Sequence, residues 1–160
     1  MAEADVELED FKNIFSLEGK VAVVTGGSRW VYTVLLGMLW FPARPFTILT
    51  KRHASLLQAG CSKIFITSRK ASACDEAVAA LNALPNKRPG AIAISVPADS
   101  SKISEIERLV KEVEKYTDHV DILFANAGAT WGAYFDEHPE NAFSKVIDLN
   151  VKSVFYTIQK

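Results

Sequence analysis

Residues 17–29 read LEGKVAVVTGGSR, and the rest of the chain is arranged around this stretch. Val21-Ala22-Val23-Val24 is a continuous apolar run of strand length, rich in β-branched residues. Such a run suits a strand buried on both faces of a parallel sheet rather than one with a wet side. Thr25-Gly26-Gly27 follows at once, where a chain leaving a strand turns tightly toward a helix. In a dinucleotide-binding βαβ unit two further glycines come next, letting the main chain approach a pyrophosphate at the helix N-terminus. Trp30 and Tyr32 stand in those places here.

The segment that follows, WVYTVLLGMLWFPARPFTILTKR at 30–52, holds two of the three tryptophans and no acidic residue. From Pro45 a helical pattern returns. Phe46, Leu49, His53, Leu56 and Leu57 share one face, Pro45 suits a first helical position, and Gly60 suits a C-terminal stop. Lys63–Thr67 then reads as a second buried strand. Ala73, Ala77, Val78 and Leu81 mark a helix ended by Leu84-Pro85-Asn86, and Ala91–Val96 is a third strand. Asp99-Ser100-Ser101 leads into a helix with Ile103, Ile106, Leu109, Val110 and Val113 on one face, capped by Ser101 or by a Ser104–Glu107 box. Val120–Ala125 is a fourth strand, and Phe143, Val146, Ile147 and Val154 mark a last helix. Strands alternating with helices of these lengths predict an α/β fold with a parallel sheet.

Composition narrows the function. With 160 residues, 49% of them hydrophobic, the chain fits one domain with a sizeable core. We expect an acidic, flexible lead-in at 1–16 and one domain over 17–160, with an atypical insertion at about 30–52. The net charge of −1 names no partner, but from Gly19 to Cys74 there is no Asp or Glu, while eight lysines and arginines fall in that window. This excess favours an anionic ligand such as a phosphorylated nucleotide. The bases are interleaved with strand residues, which argues against nucleic acid. Cys61 and Cys74 make no disulfide framework, and His53, His119 and His138 show no ligand spacing with them, so no metal is expected. The start, MAEADVELED, is no secretory signal, and the uncharged run from Trp30 to Ala43 is shorter than the roughly 20 residues that cross a bilayer. A cytoplasmic, membrane-free protein is the expectation.

TGGSR at 25–29, the NAG of Asn126 to Gly128, and Leu149-Asn150-Val151 together resemble the short-chain dehydrogenase/reductase family, over residues 17–29 and 54–160. IFSLEGK at 14–20, PADSS at 97–101 and AGATWGA at 127–133 resemble its 3-oxoacyl reductase-like members. The resemblance implies a Rossmann-type sheet of strand order 3-2-1-4. It implies an oxidoreductase that moves hydride between NADP, less readily NAD, and a carbonyl or alcohol, and relatives that are homo-oligomeric.

By this resemblance Thr25, Gly26, Ser28 and Arg29 belong to the phosphate turn. Arg69, after the second strand, stands where an arginine accommodates a 2′-phosphate and an acid would hold a ribose hydroxyl. Its plainer reading is a surface arginine at a strand end. Asp99 resembles the residue beside the adenine ring, or is an ordinary helix-leading Asp. Asn126, Ala127 and Gly128 let a ribose approach, or make a simple strand-exit turn. Asn150, counted at helical spacing from Phe143, falls on the apolar face of its helix and resembles the family's proton-relay asparagine.

The sequence departs from the family in two places. The glycine turn is broken at Trp30, where the text reads like a retained intron or misjoined exon, with a functional insertion as the alternative. The family's catalytic Ser and Tyr-x-x-x-Lys find no counterpart, because Tyr156 and Lys160 have the spacing but share a helix with Asn150. The expectation is a truncated domain that is catalytically inactive with impaired cofactor binding. The alternative is a nonenzymatic nucleotide-binding or regulatory fragment.

Overall fold

A computed structural model describes residues 16–26 and 48–160, with the side chains of 48–52 left aside. Four parallel strands form its centre: β1 (Val21–Thr25), β2 (Lys63–Thr67), β3 (Ile92–Ser95) and β4 (Ile122–Ala125). Their order is β3-β2-β1-β4, and the register sets Val21 beside Lys63, Thr25 beside Thr67, and Ala22 beside Ile122. The helices are α1 (Ile48–Gln58), α2 (Ala71–Asn82), α3 (Ile103–Glu114), α4 (Glu140–Ile147) and α5 (Ser153–Gln159). A 3₁₀ turn spans Phe135–Glu137, and a π turn at Asp148–Lys152 joins α4 to α5 in one continuous helix.

The pleat explains why the strands read as unbroken apolar runs. Ala22, Val24, Ile64 and Ile66 point to one face, where they pack with Leu57 and Cys61 at the end of α1 and with Leu81 of α2. Val21, Val23 and Phe65 point to the other, against Leu109 and Val113 of α3. With helices on both faces neither set can be polar. Within α3 the buried residues are Ile106, Leu109 and Val113, while Ile103 is 43% exposed, so the amphipathic stripe begins one turn later than the sequence pattern.

Local chemistry sets the ends. Gly60, at φ +116, closes α1: its N–H donates to Leu57 and that of Cys61 to Leu56, the paired bonds of a Schellman stop. Neither expected cap starts α3. Lys102 holds the cap position, because the Asp99 carboxylate takes both the Ser101 N–H at 3.1 Å and its hydroxyl at 2.8 Å. At the β3 edge, Asn82 closes the outward backbone of Ala93. Its Nδ2 donates to the Ala93 carbonyl at 3.0 Å and its Oδ1 accepts the Ala93 N–H at 2.9 Å. β4 lies at the opposite edge, with Phe124 37% exposed. Pro45, Phe46 and most of the insertion fall outside the described residues, as does the lead-in through Phe15. Among the described residues no helix is long and apolar enough to cross a membrane.

Candidate nucleotide-binding cleft

In a parallel sheet the loops after the carboxyl ends of the strands meet at one edge, and where the chain reverses direction across the sheet they part into a crevice. Here β1 is that point, with β2 on one side and β4 on the other. A cleft of about 360 Å³ opens there. Gly26 lines it after β1, Ser68, Arg69 and Lys70 after β2, and Ala98, Asp99 and Ser100 after β3. Asn126, Ala127 and Gly128 close it after β4, with Leu149 of the π turn.

Close backbone approach builds the floor. Gly26 sits at φ +73, and a Cβ there would lie 2.6 Å from the Ala127 Cα and 2.8 Å from the Asn126 carbonyl oxygen. Only glycine fits. Thr25 is 3% exposed and does not line the cleft; its Oγ1 accepts the N–H groups of Asn126 and Ala127, each at 3.1 Å. Its hydroxyl therefore ties the first turn to the fourth-strand loop.

The rim is charged. Arg69 and Lys70 are exposed. Asp99 is partly buried, which works against its charge. The Ser101 hydrogen bonds and the nearby Arg69 and Lys102 cations outweigh that and hold its carboxyl below the ordinary value. Asp99 thus carries its charge at neutral pH and orders the turn into α3.

Asn150 is placed differently from the sequence expectation. It is exposed rather than buried on an apolar face, and Phe143, from which that face was counted, is itself 60% exposed. The cause lies in the face itself: Phe143 stands ahead of the π turn that contains Asn150, so this side of the helix is already open before the turn begins. The Ser153 hydroxyl donates to the Leu149 carbonyl inside this turn at 2.5 Å. Ala142 and Ser153 are the buried positions of the continuous helix. The Asn150 amide is satisfied by the main chain of Ala129, with Oδ1 accepting its N–H at 2.7 Å and Nδ2 donating to its carbonyl at 2.8 Å.

The structure thus gathers Gly26, Arg69, Asp99, Asn126, Ala127 and Gly128 into one cleft. Ser28 and Arg29 lie outside the described residues. Ser68, Lys70, Ala98, Ser100 and Leu149 were missed as cleft residues; position just past a strand end was the available signal for all but Leu149. Tyr156 and Lys160 do not face the cleft as a pair, since the Lys160 ammonium is 2.8 Å from Glu107 on α3. Among the described residues no cluster of His, Cys, Asp and Glu suits a metal.

Fold and cleft define a Rossmann-type α/β class of protein. A family model, short chain dehydrogenase, matches residues 51–160, and the chain belongs to that family. It is 34% identical over 146 residues to the rhamnolipids biosynthesis 3-oxoacyl-[acyl-carrier-protein] reductase of Pseudomonas aeruginosa, covering 91% of this chain and 48% of that protein. The 2-dehydro-3-deoxy-D-gluconate 5-dehydrogenase of Escherichia coli is also 34% identical over 146 residues, covering 91% and 47%. Among solved structures, the Pseudomonas aeruginosa RhlG/NADP active-site complex superposes with a TM-score of 0.71 at 34% identity, over 91% of this chain and 47% of that one. The chain spans about half the length of the curated relatives it matches.

Proposed function

We propose that this chain forms the NADP-binding half of a short-chain carbonyl reductase. The observation that carries the reading is the pair of exposed cations, Arg69 and Lys70, opening into the same cleft as Gly26 and Asn126–Gly128. The cradle fits a dinucleotide: Gly26 and Ala127 leave no room for a side chain between them, and Arg69 offers the planar fork that suits a phosphate. On this reading Asp99, kept ionised and lining the same cleft, accepts from an adenine amino group. When bound, the nicotinamide supplies hydride chemistry. The residues of this chain bind and orient it. The similar protein solved with NADP supports the phosphate reading.

The same reading gives intact relatives a small carbonyl or alcohol substrate and a homo-oligomeric assembly, and this chain a cytoplasmic setting without nucleic acid or membrane. We further propose that these 160 residues alone bind without turnover. The one Tyr-x-x-x-Lys they contain has its lysine bound to Glu107. With Gly27 followed by Ser28, Arg29 and Trp30 rather than the two later glycines, cofactor binding is weaker than in relatives with an intact turn. A purely binding or regulatory role is the second reading, favoured by that same lysine.

Titration of the purified chain with NADPH and NADH tests this. NADPH is expected to bind at least about tenfold tighter, a difference of about 1.4 kcal/mol, and Arg69→Asp to abolish that preference. Equal affinity for both cofactors in the unaltered chain sinks the assignment.

A further inference from the structure

The loop from β2 to α2 consists of Ser68, Arg69 and Lys70, and all of it lines the cleft. Lys70 holds the cap position of α2 without a side-chain hydrogen bond, so no cap secures the loop. Cys74 secures it instead. This residue lies one turn into α2, where a side chain leans back toward the helix N-terminus, and it is 0% exposed although Ala71 and Ser72 ahead of it are exposed. Its Sγ lies 3.2 Å from the Ser68 hydroxyl and donates to the Ser68 carbonyl at 3.8 Å, while its N–H donates to the Lys70 carbonyl at 3.2 Å. One residue thus grips both ends of the loop that carries Arg69.

Ser68 is also where two walls of the cleft meet. Its carbonyl accepts the N–H of Ala98, on the loop after β3, at 3.1 Å. A shift of Ser68 therefore moves Arg69 relative to the wall of Ala98, Asp99 and Ser100. The surroundings of the thiol are not those of a packing residue. Cys61, equally buried, belongs to the apolar cluster of Ala22, Val24 and Leu57, whereas Cys74 belongs to neither apolar cluster among the described residues. Burial, reinforced by the charge of Asp75, outweighs the two Ser68 hydrogen bonds and raises the pKa of Cys74, so the sulfur keeps a proton to donate at neutral pH.

Telling a 2′-phosphate from a 2′-hydroxyl depends on where the guanidinium of Arg69 enters, because a planar fork loses its bidentate match when its backbone drifts. We propose that Cys74 is a positioning residue for cofactor choice: by holding Ser68 it sets the entry of Arg69 into the cleft, and so favours a nucleotide with a phosphate on its adenosine ribose. The inference rests on the NADP reading above.

Titration of the full 160-residue chain with NADPH and with NADH, in the parent and in Cys74 variants, decides it. Cys74→Val fills a similar space without hydrogen bonds, and is expected to weaken NADPH at least about fivefold while leaving NADH within about twofold. Cys74→Ser restores a donor and an acceptor and is expected to hold NADPH within about threefold of the parent. In a Ser68→Ala background, Cys74→Val is expected to cost less than about twofold, since most of what the thiol holds is already gone. Cys74→Ala replaces Cys74→Val if that variant does not fold. A preference for NADPH that survives Cys74→Val, a serine variant as impaired as the valine one, or equal losses for both nucleotides assigns Cys74 to packing and overturns the proposal with the NADP reading intact. Equal affinity for both nucleotides in the parent, or none for either, overturns that reading and this one together.

Discussion

The side-chain amide of Asn150 brackets the peptide of Ala129, accepting its N–H at 2.7 Å and donating to its carbonyl at 2.8 Å. The bracket joins the π turn to the loop after β4. A Cβ at Gly128 would sit 3.2 Å from the same Oδ1, so the loop runs close beneath the amide. Asn150→Leu removes both bonds and is expected to cost about 1–3 kcal/mol. Asn150→Asp keeps the acceptor but sets a carboxylate against the Ala129 carbonyl. Both variants are expected to speed amide exchange at Ala129 and to weaken nucleotide binding. Wild-type exchange at Ala129 in the leucine variant contradicts the role given to Asn150.

Gly26→Ala is expected to be the more severe change. The new methyl would lie 2.6 Å from a backbone atom that cannot rotate away, and alanine disfavours the φ of +73. Together these cost about 2–4 kcal/mol. Chemical denaturation gives the stability loss, and NADPH titration is expected to show binding gone. An alanine variant as stable as the parent means that the Gly26–Ala127 approach is not as close as described.

The framework was legible because burial on two faces leaves a plain mark. Lys63–Thr67 was read residue for residue from its apolar run, and the strand order followed from the family resemblance. Two strands proved shorter than their apolar runs. Val120 is 43% exposed, and the Asp121 carboxylate next to it is occupied by Lys20 at 2.8 Å and by the Val21 N–H at 2.9 Å, so β4 starts only at Ile122. Most of the cleft was legible for a similar reason, since strand ends fix where loops converge. Asn150 was not. Helical spacing tells which residues share a face, not whether that face is covered, and Phe143, from which the face was counted, is itself 60% exposed. The start of α3 misled too, because Ser101 looks like a cap until its hydroxyl is seen on Asp99.

Asn82 gives a prediction about solubility. By pairing with Ala93 it occupies outward backbone groups of an edge strand, where another chain would otherwise add. Asn82→Ala exposes them. The variant is expected to lose about 1–2 kcal/mol and to aggregate faster on warming, followed by light scattering. If the alanine variant stays as soluble as the parent at equal concentration, the bracket does not guard the edge.

His53 and His119 predict opposite responses to pH. His53 is 1% exposed, neither ring nitrogen finds a partner among the described residues, and burial pulls its pKa down to about 4. The folded value lies below the unfolded 6.5, so the unfolded chain takes the proton first. Stability is complete above pH 6.5 and falls as pH drops toward 4, by up to about 3 kcal/mol. His119 is raised chiefly by its hydrogen bond to Asp118; burial opposes this, and the charges of Asp121 and Asp118 reinforce it. Its contribution is present below 6.5 and fades as pH rises through the raised folded value. Melting curves from pH 4 to 8.5 separate the two. His53→Leu is expected to flatten the acid limb. His119→Gln is expected to melt lower than the parent at pH 5.5 and level with it at 8.5. An acid limb unchanged by His53→Leu means that the ring is solvated or paired in the folded chain, and a His119→Gln deficit that persists at high pH assigns that side chain a role independent of charge.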